Sequence, residues 1–254
     1  MTIIFILPAY NEGENLGPLL EEIRNSMESA RLAYKVVVVD DGSKDDTYAV
    51  AQDYAKRLPV VIAQNMPNEG LASALRKGFR KAVEIATPDD VIVTMDADNS
   101  HKPAQVPQLL KALEPGFDIV VASRYRPGAE IHGLSASREA LSRLAGLTFQ
   151  VCFPVRGVRD YTCGYRVYRA KILQGAWQLY GPDFVSERGF SCIVDTLLKL
   201  HKFGARATEI PLILRYDLKK GQSKMRVART VWQTLWLLLR RRFNVGIVPA
   251  NAKP

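Results

Sequence analysis

Cysteine is scarce in this chain: Cys152, Cys163 and Cys192 are the only three in 254 residues, an odd number without metal-ligand spacing. Such thiols are most simply reduced and part of the packing, which suits a cytosolic protein. Long apolar runs are missing as well. Nothing approaches the roughly 18 uninterrupted apolar residues of a membrane span, and Leu235 to Leu239 is far too short. Ile3 to Leu7 has no basic leader and is closed by Pro8, so it is expected to be a strand and not a signal peptide. Repeats, low-complexity tracts and a convincing linker are absent. There is no Gly-x-Gly-x-x-Gly after the first apolar run and no Gly-Lys-Ser/Thr phosphate loop, which argues against dinucleotide and Walker-type binding.

What is present begins with charge. The formal net charge is +9, and it is uneven. Acidic clusters occupy the first half, while basic residues crowd Arg124 to Arg169 and Lys219 to Arg242. That balance favours an anionic partner such as nucleic acid, a membrane surface or a phosphorylated substrate.

Short Val/Ile-rich runs alternate with helical patterns. Strands are expected at Ile3–Leu7, Val36–Val39, Val60–Ala63, Val91–Met95 and Asp118–Ala122, with helices near 14–29, 46–56, 71–85 and 104–113 between them. This spacing argues for a mostly parallel, doubly wound α/β sheet flanked by helices. Beyond Ser123 the expectation is a helix over 137–155, a Gly/Arg/Tyr-rich loop to Arg169, a helix over 194–203 and a strand over 209–216. Two units follow: a domain over 1–224, then an amphipathic C-terminal helix and tail over 225–254.

Three strands end in polar or acidic clusters: Pro8-Ala9-Tyr10-Asn11-Glu12, Asp40-Asp41-Gly42-Ser43 and Asp96-Ala97-Asp98-Asn99-Ser100-His101. Open α/β sheets bind ligands at that edge. An Asp-x-Asp pair on its own also describes a solvated loop. Coincidence with two other polar strand ends favours a nucleotide and metal site, because paired carboxylates repel until a hard cation joins them.

Read in order, Pro8 to Glu12, Val39 to Ser43, Asn68-Glu69-Gly70-Leu71, Asp96-Ala97-Asp98 and Ser123-Arg124-Tyr125 resemble the motif series of family 2 glycosyltransferases of the GT-A fold. Within that family the chain is similar to the dolichol-phosphate mannose synthases and other polyprenyl-phosphate glycosyltransferases. Asp160 to Arg166 and Gly221-Gln222-Ser223-Lys224 extend the likeness, which covers roughly 3–224. The resemblance implies a GDP- or UDP-hexose donor, Mg²⁺ or Mn²⁺, and a polyprenyl phosphate acceptor. It assigns Pro8, Tyr10, Glu12, Val39 and Asp41 to the nucleoside, and Asp96, Ala97 and Asp98 to metal and diphosphate. It assigns Arg124, Arg138 and Ser142 to the acceptor phosphate. This chain has Asn99-Ser100 where the synthases often have Leu-Gln, which gives Ser100 the third metal position. It has Lys219-Lys220 where they carry arginine, so Lys220 is expected on the donor phosphates.

The chemistry points the same way. A carboxylate-held metal stabilises a leaving diphosphate. A phosphate monoester, with its second pKa near ~6, is already mostly dianionic and needs aiming, not deprotonation. Arg124, Arg138, Arg143, Arg166 and Arg169 are expected near the acidic site for that purpose. Asp98, Arg124 and Arg138 are the expected catalytic groups, and direct displacement would invert the anomeric carbon. A family 2 enzyme with a sugar-hydroxyl acceptor would need a general base, for which Asp195 is the candidate. A nucleic-acid-binding protein would need aromatics interleaved with a basic face, and the acidic strand ends speak against it.

His101 and His132 are expected to be polar loop residues without a role, and Lys44, Asp45 and Asp46 to open a helix. In the tail, Ala228, Val231, Trp232, Leu235, Leu238 and Leu239 recur at helical spacing beside Arg240, Arg241 and Arg242. Such a helix suits the interface of an anionic bilayer. The expectation is a peripheral protein on the cytoplasmic membrane face.

Overall fold

The computed structural model describes residues 1–220 apart from 115, 134 and 135, with side chains at 136–142 and 145 left out of the description. The Gly221–Lys224 motif and the amphipathic tail over 225–254 lie outside the described residues. Arg138 and Ser142 belong to a described helix, but their side chains lie outside the description.

The chain alternates strand and helix: β1 (Thr2–Ala9), α1 (Gly13–Ser29), β2 (Ala33–Asp41), α2 (Thr47–Ala55), β3 (Val60–Asn65), α3 (Leu71–Ile85) and β4 (Val91–Thr94). Then come α4 (Val106–Leu113), β5 (Ile119–Ser123), β6 (Glu130–His132), α5 (Ala136–Cys152), β7 (Arg166–Arg169), α6 (Ala170–Tyr180), α7 (Ser191–Lys202), β8 (Ala207–Pro211) and β9 (Ile213–Arg215). One seven-stranded sheet has the order β3-β2-β1-β4-β7-β5-β8, and β6 pairs with β9 in a small parallel ribbon. All neighbours in the large sheet are parallel except β7, which is antiparallel to both β4 and β5.

Helices on both faces explain the continuous apolar strands. Ile3 to Leu7 and Val36 to Val39 are wholly buried. Leu16, Leu19, Leu20, Ile23 and Met27 line the buried face of α1 at helical spacing. Helix α3 lies tight on the sheet at Gly78, where an added Cβ would stand 2.4 Å from Ile6 Cγ2.

Several features depart from the expected pattern, among them the short strand β6. The loop leading to Arg169 contains β7, whose Arg-Val-Tyr-Arg sequence hides a central strand behind two charged residues. The expected strand over 209–216 is broken: Pro211, which has no N–H to donate, closes β8, and Ile213 to Arg215 joins the ribbon instead. Helix α6 follows where none was expected.

Register fixes the functional edge. Pro8 stands level with Val39, and Ile6 with Thr94, so the polar ends of β1, β2 and β4 leave the sheet together. Thr94 and Val121 both lie opposite Arg166 on β7. Asp96 and Arg124 therefore emerge at one edge, two strand spacings or roughly 10 Å apart.

Candidate functional site

The end of β1 is laced to the end of β2. Asn11 takes a positive φ of 51°, which asparagine tolerates; its N–H donates to Ser43 Oγ at 2.9 Å and its Oδ1 accepts Lys44 N–H at 2.8 Å. Glu12 N–H donates to Thr47 Oγ1 at 2.7 Å, and the Glu12 carboxylate accepts the Asn15 amide at 2.7 Å. Asp45 accepts from Gly13 N–H at 3.0 Å and Thr47 N–H at 3.1 Å, so it ties the start of α2 to the start of α1.

Asp41 organises the next loop. Its carboxylate accepts the Asn65 and Asn68 amides, each at 2.8 Å, and the N–H groups of Glu69 at 3.1 Å and Gly70 at 2.7 Å. The loop closes over Gly42, whose φ is +68° and whose missing Cβ would stand 2.6 Å from Asn68 N. Pro8 and Tyr10 are half-buried at this rim, beside buried Val39 and Glu12.

Asp96 and Asp98 occupy the centre of the edge. Asp98 Oδ1 accepts Ser100 Oγ at 2.5 Å and Ser100 N–H at 3.1 Å, through a turn in which Asn99 has φ +61°. Asp98 Oδ2 accepts the Lys219 ammonium at 2.6 Å. Burial alone would raise the Asp98 pKa, but the Lys219 charge and the Ser100 hydroxyl hold it below the ordinary carboxylate value. Asp96 goes the other way. Burial, above a recess lined by Leu75, Phe79, Tyr168 and Ile193, pushes its carboxyl up against the opposing His101, and the charges of Asp98 and Glu12 add to the rise.

His101 has a clear task here, contrary to expectation. Its Nδ1 accepts the Asp96 N–H at 3.2 Å, and its ring stacks on Tyr165 at 5.0 Å. His132 is exposed beside Glu130.

The donor set suits a hard divalent ion: two carboxylates, a hydroxyl at Ser100 and open coordination for phosphate oxygens. Among the described residues no group of three or more His, Cys, Asp and Glu could enclose a metal unaided. An ammonium bonded to Asp98 marks the position as one that takes positive charge.

Arg124 stands at the end of β5. Its Nε donates to Asp160 Oδ2 at 2.8 Å, and its Nη2 donates to Asp160 Oδ1 at 2.7 Å and to Thr162 Oγ1 at 2.6 Å. Burial opposes charge on both groups, yet each holds the other ionised. Glu209 on β8 supports this pair from below by accepting the N–H groups of Arg159 at 2.7 Å and Asp160 at 2.6 Å. Among the described residues the bonds of the Arg124 guanidinium are made by Nε and Nη2, and none is made by Nη1. Helix α5 crosses beside it, since a Cβ on Gly146 would lie 3.3 Å from the Tyr125 ring.

Other arginines are corrected by the structure. Arg166 is buried and donates to the carbonyls of Ile193 at 2.7 Å and Tyr161 at 2.6 Å. Arg169 donates to Phe117 O at 2.9 Å and Leu113 O at 2.8 Å. Both hold backbone, and neither reaches the acidic pair. Arg143 is exposed on α5. Asp195 is wholly buried and paired with Lys199 at 2.7 Å, so it does not face an acceptor as a base. Burial pushes the Cys163 thiol up to about 12, which removes it as a nucleophile. The ammonium at the carboxylates belongs to Lys219; Lys220 is exposed, and its backbone is fixed by Asn15.

Comparison with known proteins gives the family and the fold. The sequence profile described as "Glycosyl transferase family 2" matches residues 4–177. A dolichol-phosphate mannosyltransferase of Pyrococcus furiosus is 31% identical over 236 residues, 92% of this chain and 62% of that protein. This chain thus spans about three fifths of that relative's length. An undecaprenyl-phosphate mannosyltransferase of Micrococcus luteus is 33% identical over 226 residues, covering 89% of this chain and 88% of the relative. A polyprenol monophosphomannose synthase of Mycolicibacterium smegmatis is 31% identical over 224 residues, covering 87% and 80%.

Among solved structures, mannosyl-3-phosphoglycerate synthase of Rubrobacter xylanophilus superposes with a TM-score of 0.67 at 20% identity, over 100% of this chain and 78% of that one. Glucosyl-3-phosphoglycerate synthase of Mycobacterium tuberculosis, solved with Mn²⁺, UDP and glucosyl-3-phosphoglycerate, superposes with a TM-score of 0.63 at 18% identity, over 95% and 79%. Likeness at that identity establishes the mostly parallel α/β fold of GT-A type and nothing finer.

Proposed function

This chain belongs to glycosyl transferase family 2, and we propose that it moves a hexose, mannose or glucose, from a GDP- or UDP-sugar to a polyprenyl phosphate with inversion at the anomeric carbon. One observation carries the reading: the Asp96–Asp98 pair and the Arg124 fork leave the same sheet edge, brought level by β7. An acidic cradle beside an aimed guanidinium suits a diphosphate leaving group on one side and a phosphate nucleophile on the other.

On the donor side, Pro8, Tyr10, Glu12, Val39 and Asp41 surround the nucleoside. Asp96, Asp98 and Ser100 would hold Mg²⁺ or Mn²⁺, which supplies Lewis-acid stabilisation of the departing diphosphate. Ala97 contributes backbone beside them, and Lys220 lies within the segment that borders the phosphates. On the acceptor side, Arg124 orients a lipid phosphate through Nη1 while Asp160 and Thr162 fix the plane of its guanidinium. Arg138 and Ser142 lie on α5, which crosses at Tyr125. An acceptor that is already dianionic requires no base. Among the described residues the one named candidate base, Asp195, is paired within the core, which disfavours a sugar-hydroxyl acceptor.

A lipid acceptor requires a membrane surface. Leu144, Leu147 and Val151 on α5 are 63%, 57% and 81% exposed at helical spacing, next to exposed Arg143. An exposed apolar stripe beside an arginine supports peripheral attachment to an anionic bilayer. Among the described residues no helix is long and apolar enough to cross one. Free cysteines, with Cys152 exposed, support a reducing compartment and hence the cytoplasmic face.

The test is direct. Purified protein is screened by thermal shift against GDP- and UDP-hexoses with Mn²⁺, and each binding donor is then assayed with a polyprenyl phosphate. Formation of a hexosyl phospholipid with inverted anomeric configuration is expected; donor binding without any lipid product contradicts the proposal.

A further inference from the structure

The acidic pair carries a positive charge of the protein's own. Lys219 Nζ lies 2.6 Å from Asp98 Oδ2, with the two side chains only 11% and 9% exposed. Asp98 Oδ1 is already bonded to Ser100. Among the described residues no other ammonium or guanidinium bonds to either carboxylate of the pair.

The root of Lys219 is fixed, and its ammonium ends a long unbranched stem. Residue 219 follows a 3-10 turn over Tyr216–Leu218. Its neighbour Lys220 is pinned to α1 by Asn15, which accepts the Lys220 N–H at 2.9 Å and donates to the Lys220 carbonyl at 3.1 Å. Asn15 in turn donates to Glu12 at 2.7 Å. The backbone of the segment is therefore tied to the same rim as the nucleoside residues. Beyond it, the flexible lysine stem can swing the ammonium without moving the chain.

We propose that Lys219 is an exchangeable counter-ion, whose ammonium occupies Asp98 until a divalent cation arrives and then transfers to the donor diphosphate. The inference rests on the glycosyl-transfer reading above. A divalent ion and an ammonium on one carboxylate oxygen are like charges at contact, in a partly buried site where water screens them weakly. Metal alone must break the Asp98 ion pair and leave the ammonium without an anion. Metal together with a diphosphate gives the displaced ammonium a new partner at once. Metal and nucleotide should therefore bind cooperatively, each raising the affinity of the other by the same factor. Only ion pairs are exchanged.

Mn²⁺ binding, followed by electron paramagnetic resonance and calorimetry, tests this without any measurement of turnover. Wild type, Lys219→Met and Lys219→Arg are compared with and without GDP or UDP, at matched folding by circular dichroism. Wild type should bind Mn²⁺ weakly alone and far more tightly with nucleotide. Lys219→Met should bind Mn²⁺ alone about ten- to a hundredfold more tightly, the equivalent of one charge-assisted bond, and lose most of the nucleotide enhancement. Lys219→Arg keeps the charge and should keep the weak basal affinity. If Lys219→Met does not fold, Lys219→Gln serves in its place. Equal Mn²⁺ affinity of the folded wild type and neutral variant, without nucleotide, overturns the counter-ion assignment. A wild type that binds neither GDP nor UDP with Mn²⁺ defeats the glycosyl-transfer reading, and the inference with it.

Discussion

Arg124 and Asp160 meet in a two-point fork at 2.7 and 2.8 Å, with the Asp160 carboxylate wholly buried and the arginine side chain 15% exposed. The geometry makes Arg124 a fixed guanidinium and not a swinging arm. It also joins acceptor recognition to stability.

Arg124→Ala should weaken use of the lipid phosphate by roughly ten- to a hundredfold in KM, with donor affinity little changed. It should also destabilise the fold by on the order of 3 kcal/mol, because Asp160 is left as an uncompensated buried charge. Arg124→Lys should restore part of the acceptor affinity, having the charge without the fork. Acceptor titrations and urea denaturation of both variants separate the two effects. Weakened donor binding with unaltered acceptor KM would move Arg124 to the donor side.

The same pair predicts acid sensitivity. Arg124 overcomes burial and depresses the Asp160 pKa in the folded protein, so between the folded and unfolded pKa values the unfolded chain binds more protons. Stability from this group is present above the unfolded value near ~3.9 and is lost as pH falls through the folded one. Asp160→Asn should be less stable at neutral pH and show a shallower loss of stability below about pH 4. Parallel acid-unfolding curves for the two proteins would deny Asp160 this share.

Asp98→Ala should abolish transfer and metal-supported donor binding in a protein that still folds, with Tm lowered at neutral pH because the ionised Asp98 is held by Lys219 and Ser100. Lys219, only 11% exposed, is left without its anion when Asp98 is removed. Asp96→Asn should be comparably inactive and no less stable, since burial and the charges of Asp98 and Glu12 already disfavour its ionised form. Normal turnover in folded Asp98→Ala would remove the carboxylate pair from the reaction.

Gly42→Ala examines the loop over Asp41. A Cβ at φ +68° would stand 2.6 Å from a backbone nitrogen, so the loop must shift. A loss of about 1–3 kcal/mol is expected, together with weaker nucleotide binding. Unchanged denaturation and nucleotide affinity would show that the loop relaxes freely.

Much of this architecture was legible because burial imposes simple patterns. Ile3 to Leu7 and Val36 to Val39 announce strands covered on both faces, and the polar ends of β1, β2 and β4 meet as the alternation requires. Strand β7 was hidden because Arg166 satisfies its buried guanidinium on the carbonyls of Tyr161 and Ile193, contacts that no local pattern announces. Asp160 and Lys219 stood within recognised motifs, but their roles were not assigned, for a related reason. Each acts on a partner distant in sequence, Arg124 and Asp98 respectively, and a lone charge in a polar stretch looks like surface. The substitution of lysine for arginine before Gly221 was the one available signal for Lys219. The break of the 209–216 strand was readable at Pro211, which cannot extend a ladder.

The acceptor assignment is tested most directly by offering two lipids that differ in a single group. The protein, a GDP- or UDP-hexose that it binds, and Mn²⁺ are incubated with a polyprenyl phosphate or with the matching polyprenol, and lipid products are followed by mass spectrometry. A hexosyl phospholipid from the phosphate alone, with no product from the alcohol, is the predicted result. Transfer to the alcohol at a comparable rate, or release of free hexose with neither lipid modified, would contradict the account.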